Sequence, residues 1–177
     1  MSIRGKAYIA GIFEHPLRKI TDKSVAQLHA ECAKGALEDA GLTIKDVDAY
    51  YCSGDAPGAM PAPSMTEYMG MAVRHLDCTN SGGSSYLYHV GHAAAAIAAG
   101  KCKIALITCA GCGRKGTAVR DRGGPDMPFE NPYGPVTVNQ YAMAAQRHMH
   151  QYGTTSEQLA WVKVAASHHA QHNPNAF

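Results

Sequence analysis

Aromatic residues and charge are both scarce in this sequence: one tryptophan and three phenylalanines in 177 residues, with 17% charged side chains. The net charge is +2 and no basic stripe is interleaved with aromatics, which argues against a dedicated nucleic-acid binder. No apolar run approaches the roughly 20 residues that span a bilayer, so no membrane span is expected. Arg4 and Lys6 lead straight into an expected strand, without the apolar core of a signal peptide. Internal repeats and low-complexity tracts are also missing. What is present, 46% hydrophobic residues, suffices for one soluble domain with a real core. Cys32, Cys52, Cys78, Cys102, Cys109 and Cys112 fall on or beside expected helices and strands, not in a small loop-rich scaffold. That usage predicts buried, reduced thiols in a cytoplasmic protein.

The stretch from Asp77 to Cys109 organises the rest. Asn80, Ser81 and Gly82 break a strand, Ser81 or Ser84 caps a helix, and Gly100 supplies a left-handed stop. Ala93, Ala94, Ala95, Ala96, Ala98 and Ala99 leave that helix without a polar face. Such a helix is expected to be buried on every side, between two layers.

In chain order, Lys6–Ile12 reads as a strand. Asp22 or Ser24 then opens a helix, with Ser24 and Gln27 as a capping box and Val25, Leu28, Cys32, Ala36, Leu37 and Ala40 facing inward until Gly41. Asp48–Ser53 is a second strand, 54–63 a Gly/Pro loop, and Ser64 the cap of a short helix to about Met71. His75–Thr79 is the third strand. Cys102–Thr108 is the fourth, apolar throughout as a strand covered on both faces should be. Strands alternating with helices predict parallel crossovers and a layered α/β fold. Residues 111–135 carry Gly, Pro, Arg and Asp with little periodicity, a long excursion from the core. Helices follow over Thr137–Tyr152 and after Thr155, which has Gln158 in capping-box position and an inner stripe of Leu159, Val162, Ala165 and Ala166. The expected division is an α/β core over 1–110 and a partly helical segment over 111–177.

Three groups of residues, taken in order and at their spacing, carry a resemblance. They are Gly5-Lys-Ala-Tyr-Ile-Ala-Gly-Ile12 with the helix end Leu37-Glu-Asp-Ala-Gly-Leu42 and Asp46-Val-Asp-Ala49; the Asn80-Ser-x-x-Ser84 turn with Ile97-Ala-Ala-Gly100; and Tyr152-Gly-Thr-Thr-Ser-Glu-Gln-Leu-Ala160 with His172-Asn-Pro-Asn-Ala176. Together they resemble the N-terminal part of a thiolase-superfamily protein, of the sterol-carrier-protein (non-specific lipid-transfer) thiolase branch. The resemblance implies a thiolase-like layered fold, in which an α/β half with a mixed sheet and a central Ala-rich helix is followed by a helical loop-domain segment. It covers only the first half of such a protein, so this chain is expected to be a truncated or proteolysed piece and inactive alone. The missing half would supply a His and a Cys or Asn to the chemistry. The resemblance further implies an acyl-CoA thioester as substrate and no covalently bound cofactor. A homodimer or tetramer paired through His75–Thr79 is implied, and, in Cys-less aldolase members, a small OB-fold and zinc-ribbon partner protein.

The resembled motif puts a nucleophilic Cys three residues after Asn80 and seventeen before Gly100, where this chain has Gly83. Cys78 is five residues early and on the strand, where a structural role is expected. Acyl-enzyme chemistry needs a thiolate, so acyl transfer should fail. The backbone N–H groups of Gly83 and Ser84 would remain as an oxyanion hole at a helix start. Ser84, Ser85, Tyr86 and His89 are the side chains near it, each alternatively a cap or a packing contact. Arg114, Lys115, Arg120 and Arg122 would meet CoA phosphates, or form a solvated basic loop. Gly111-x-Gly-x-x-Gly116 follows a strand but opens no helix, which disfavours a dinucleotide site. Cys109-x-x-Cys112 has no second pair, and His148, His150, His168, His169 and His172 have no acidic or thiol company, so no metal site is expected. The expected function is aldol or retro-aldol carbon–carbon chemistry on acyl-CoA thioesters, in degradation of sterol or lipid side chains. The alternatives are an acetyl-CoA acetyltransferase-type acyltransferase, or a non-catalytic acyl-CoA- or lipid-binding subunit.

Overall fold

A three-residue strand with every side chain buried, Ala49–Tyr51 (β1), is the centre of the first part of the chain. The structure is a computed structural model that describes residues 2–17, 20–112, 129, 131–133, 137–174 and 176, in two units, 1–117 and 118–177. In the first unit β1 pairs in parallel with His75–Asp77 (β2) on one side and Ala105–Ile107 (β3) on the other, giving the order β2-β1-β3. Both pairings are parallel, so the antiparallel component of the expected mixed sheet is not found among the described residues. Register is set partly from outside the ladder: the Asp48 carboxylate accepts the N–H groups of Lys103 and Ile104 at 2.8–3.0 Å. Burial opposes that charge, but those N–H groups and nearby Arg74 hold the Asp48 carboxyl below its usual range.

Alternation along β1 sends consecutive tyrosines to opposite faces. Tyr50 joins Ala33 and Leu37 of the helix Val25–Asp39 (α1) and Ala62 and Met65 of the helix Pro61–Tyr68 (α2). Tyr51 joins Ala93 and Ala96 of the helix Ser85–Ala98 (α3). Three layers result. Each fully buried ring is worth about 4–6 kcal/mol before entropy, from roughly 150–250 Å² at ~25 cal/mol/Å².

Several elements differ from the sequence expectation. Lys6–Ile12 forms no ladder among the described residues, although it lines a groove with β3, whose outer edge is open. Instead it runs against α1, so closely that a Cβ on Gly11 would come within 2.4 Å of the Ala36 carbonyl oxygen. It lines a groove of about 580 Å³ with residues 103–109, α1 and α3, and leaves Tyr8, Ile9 and Ile12 exposed. The second helix starts three residues before Ser64, at Pro61, whose missing N–H costs nothing in a first turn. Ser24 does cap α1, accepting from the Gln27 N–H at 3.1 Å, but the Gln27 side chain turns to Glu31 instead of closing a capping box. Gly100 ends α3 at φ +72°, as expected. The larger correction is α3 itself. Only Ser85, His89, Ala93 and Ala96 are buried, while Leu87 is 78% exposed and Tyr88 and Val90 are also open. Among the described residues nothing packs on that outer face. Of the six thiols, only Cys52 and Cys102 are buried; Cys78 and Cys109 are exposed.

The second unit holds the helices Thr137–Tyr152 (α4) and Ser156–Ala170 (α5). The Thr155–Gln158 capping box forms in full, with bonds of 2.8 and 3.3 Å. The expected inner stripe does not: Leu159, Val162, Ala165 and Ala166 are exposed, as are Val138, Tyr141 and Met143. No described residue of the unit forms a sheet for these faces to cover.

Two interactions fasten α1. The Glu31 carboxylate receives Lys23 at 2.6 Å, His15 at 2.9 Å and Gln27 at 2.9 Å, which lower its carboxyl from 4.5 to about 2. The buried His29 ring meets the Thr108 hydroxyl at 2.7 Å, and Tyr50 meets the same hydroxyl at 2.7 Å. A depressed carboxyl stabilises the fold above its unfolded value and loses that contribution as pH falls through its folded value. Acid titration followed by circular dichroism should therefore lose part of its stability between about pH 4.5 and 2 through Glu31, and Glu31→Gln should remove that part of the slope. An unchanged slope would contradict the assignment. Thr108→Val keeps the volume but strands two buried polar groups, at about 1–3 kcal/mol each. Hydrogen exchange at the β1 amides should report that loss, with Tyr50→Phe recovering part of it. A change under about 0.5 kcal/mol, the scale of a surface substitution, would contradict it.

Candidate active site

The turn between β2 and α3 is built from its own side chains. Asp77, at the end of β2, accepts the N–H and hydroxyl of Thr79 at 2.8 Å each and meets His92 at 2.5 Å. Burial opposes its charge, but His92 and Thr79 together hold the carboxyl below its usual range. Asn80 Oδ1 accepts from the Ser53 hydroxyl and from the Gly82 N–H, both at 3.2 Å. Gly82 takes φ +80°, a conformation L side chains rarely adopt, and its carbonyl accepts the Ser85 hydroxyl at 2.6 Å. The same Ser85 oxygen accepts the Ser81 N–H at 2.9 Å. Neither Ser81 nor Ser84 caps α3 through its side chain; Ser84 is the N-cap residue but makes no such bond. Buried Ser85 fastens the helix start instead.

This construction leaves Gly83 and Ser84 on the surface at the first turn of α3. Among the described residues no side chain accepts from either amide. Gly83 has no left-handed φ, and a Cβ built on it would meet nothing within 4 Å. A side chain would therefore fit at position 83, and none is there. Cys78 is exposed, just past β2. His89 is wholly buried beneath the turn, with Nε2 3.0 Å from the Thr79 carbonyl and its ring against Tyr51 and Tyr86. Its Nδ1 has no hydrogen-bond partner. Ser85 and His89 thus sit inside the wall, bonded to main chain, whereas Gly83 and Ser84 face outward.

A second cluster lies at the carboxyl ends of the strands, and most of it carries no signal in the sequence. Asp55 follows β1. Its Oδ1 accepts the Tyr86 hydroxyl in a short hydrogen bond, and its Oδ2 accepts the Ala110 N–H at 3.2 Å. His29 Nε2 faces Oδ2 across 3.6 Å. Burial works against the charge, yet the His29 ring and Tyr86 outweigh it and hold the carboxyl below its usual range. Tyr86 is pushed strongly upward by burial and by donating to Asp55. Cys109 is raised by burial and by the Asp55 charge, against its hydrogen bond with Tyr86. Cys52 is pushed up to about 11, chiefly by burial. Tyr86 alone of this cluster is a candidate on sequence grounds. His29 offers one signal, its place beside Leu28 on the inner stripe of α1.

The other sequence candidates are dispersed. Arg114, Lys115, Arg120 and Arg122 lie outside the described residues, as does most of Gly111–Gly116. Cys112 is half-buried, 3.7 Å from the Lys23 carbonyl. In the second unit His168 packs on His169 and His172, and His148 binds the Thr154 hydroxyl at 2.9 Å. No described helix is long and apolar enough to cross a membrane.

No family model matches the chain. It is 32% identical over 186 residues to a 17-hydroxy-3-oxo-4-pregnene-20-carboxyl-CoA lyase of Mycobacterium tuberculosis, covering 99% of this chain and 48% of that protein. It is 28% identical over 178 residues to an acetyl-CoA acetyltransferase of Methanothermobacter thermautotrophicus, covering 95% of this chain and 46% of that protein. Among solved structures, an Ltp2-ChsH2(DUF35) aldolase matches with a TM-score of 0.79 at 29% identity, over 96% of this chain and 44% of that one. The chain spans about half the length of the curated relatives it matches. With its parallel α/β layers, its glycine-opened α3 and these relatives along nearly its whole length, the chain belongs to the thiolase superfamily.

Proposed function

We propose that this chain is the oxyanion-holding half of a thiolase-like enzyme that cleaves or forms a carbon–carbon bond next to a CoA thioester, without a covalent acyl-enzyme. One observation carries this: position 83, where the resembled motif has its thiol, is a glycine with open space around it at the start of α3. With no sulfur there, the site retains amides and a helix N-terminus, which stabilise negative charge building on a thioester oxygen. Retro-aldol cleavage needs that stabilisation. The pair of electrons from the broken Cα–Cβ bond becomes an enolate on the thioester side, and the β-hydroxyl carbon leaves as a carbonyl. The named activities of the lyase and the aldolase support the same reading. Sterol or lipid side-chain thioesters are the proposed substrates, with Arg114, Lys115, Arg120 and Arg122 binding the CoA phosphates.

The aldolase structure is named for two components, which supports a partner protein for this chain; that the partner is of the OB-fold and zinc-ribbon kind is our proposal from the family resemblance. The outer edge of β2 suits pairing with a second copy through His75–Thr79, since β1 occupies only its inner edge. A second reading, acyl transfer, is favoured by the acetyltransferase relative and would have to use Cys78, the exposed thiol nearest in sequence to Gly83.

The natural protein with its partner subunits should split a β-hydroxyacyl-CoA into a carbonyl product and a shorter acyl-CoA, with no mass added to the polypeptide. A covalent acyl adduct from a β-ketoacyl-CoA, lost in Cys78→Ser, would establish the second reading instead. Tight CoA binding with neither activity would assign a non-catalytic subunit. Gly83→Cys should change stability by no more than about 0.5 kcal/mol in urea unfolding, as a surface substitution does, and should present a thiol that alkylates readily. A larger loss would mean that position 83 is not an open site.

A further inference from the structure

We infer that Asp55 is a catalytic residue of this site, the acceptor that selects a substrate β-hydroxyl over a carbonyl and takes its proton as the carbon–carbon bond breaks. The inference rests on the retro-aldol reading above.

Position comes first. Asp55, Thr108 and Ala110 lie past the carboxyl ends of β1 and β3, and ligands of open α/β sheets bind outside such ends. Asp55 is tied to Tyr86 in the first turn of α3. Its neighbour Gly54 lies so close to the opening turn that a Cβ there would come within 2.5 Å of Asn80 Nδ2. The carboxylate therefore belongs to the same assembly as the exposed turn residues Gly83 and Ser84.

The buried side of the cluster fixes the charge state by geometry. His29 is fully buried, and its Nε2 has no hydrogen-bond partner but faces the Asp55 carboxylate. A bare Nε2 lone pair there would oppose the carboxylate, so the proton belongs on Nε2. Nδ1 then accepts from Thr108, which accepts from Tyr50. Donors thus point at Asp55 from His29, Tyr86 and Ala110, all favouring the ionised form. The titratable groups facing it are His29 from α1, Tyr50 from β1, Cys52 just past it, Tyr86 from α3, and Cys109 beyond β3. About a third of the Asp55 side chain remains exposed.

An ionised carboxylate only accepts hydrogen bonds. A β-hydroxyl donates to it, whereas a β-carbonyl oxygen would meet it lone pair to lone pair. A weakly basic carboxylate suffices for the proton transfer, because the hydroxyl becomes strongly acidic as its carbon turns into a carbonyl. In the balanced step the O–H proton passes to Asp55 and the C–O bond becomes double. The Cα–Cβ pair moves to the thioester enolate held by the amides. The same proton then returns from Asp55 to Cα, with no net oxidation.

The test uses the natural protein with its partner subunits and a β-hydroxyacyl-CoA, with the matching β-ketoacyl-CoA as a competitive inhibitor. Asp55→Asn should lower kcat by about 10²–10⁴, the range of a general base, and abolish the acid limb of the pH profile. It should also bind the keto inhibitor at least as tightly as wild type does. Tyr86→Phe keeps the carboxylate but removes a donor, so its acid limb should move to higher pH; an unmoved limb would overturn the proposal even if Asp55→Asn does not fold. A wild-type enzyme that cleaves the substrate, with Asp55→Asn within about threefold of it, would refute the role of Asp55 and leave the retro-aldol reading intact. A wild type that cleaves nothing would refute both.

Discussion

A single buried hydroxyl decides where α3 begins. Ser85 Oγ donates to the Gly82 carbonyl and accepts from the Ser81 N–H, closing the turn on itself. With Gly82 in the left-handed region and Asn80 bridging to Ser53, the chain has one way to enter the helix. Gly83 and Ser84 are left exposed, and among the described residues no side chain accepts from their amides. Had Ser81 or Ser84 supplied an ordinary cap, one of the first-turn donors would be occupied.

The same helix shows how polar groups and small groups divide the work of packing. Near its start it is held by Ser85 and His89, which bond to main chain of the turn. Further along it is held by Ala93 and Ala96 against Tyr51, where short side chains allow close approach to the sheet. Nothing among the described residues covers its other face. The proposed chemistry does not depend on that face, because both the amides and Asp55 belong to the end where the strands finish.

Elements governed by neighbours along the chain are legible in the amino-acid sequence. Ser24 and Thr155 as caps, Gly100 as a stop and the positions of β1, β2 and β3 all follow from residues within a turn of one another. Elements that need a distant partner are not. Lys6–Ile12 has a strand's composition, but composition does not decide whether a segment joins a sheet edge or packs against a helix such as α1. α3, expected to be covered on every side, is covered on one, and the inner stripe of α5 has no cover among the described residues. For the site, the position of Gly83 follows from counting along a resembled motif. Asp55 and His29 stay hidden because their contacts cross 31 residues to Tyr86 and 79 to Thr108, and a lone Asp in a Gly/Pro loop carries no signal of either.

In the proposed reading, glycine in place of a thiol and the Asp55 carboxylate tied to Tyr86 of α3 make a site for protons and enolates and not for acyl groups. The most direct check is a crystal structure of the natural protein with a β-hydroxyacyl-CoA analogue whose thioester sulfur is replaced by NH, which keeps the carbonyl oxygen and resists reaction. That oxygen should lie about 2.7–3.1 Å from the Gly83 or Ser84 nitrogen, the distance expected of an oxyanion hole, with the β-hydroxyl on Asp55. A carbonyl oxygen held elsewhere, with the α3 amides facing only water, would contradict the central claim.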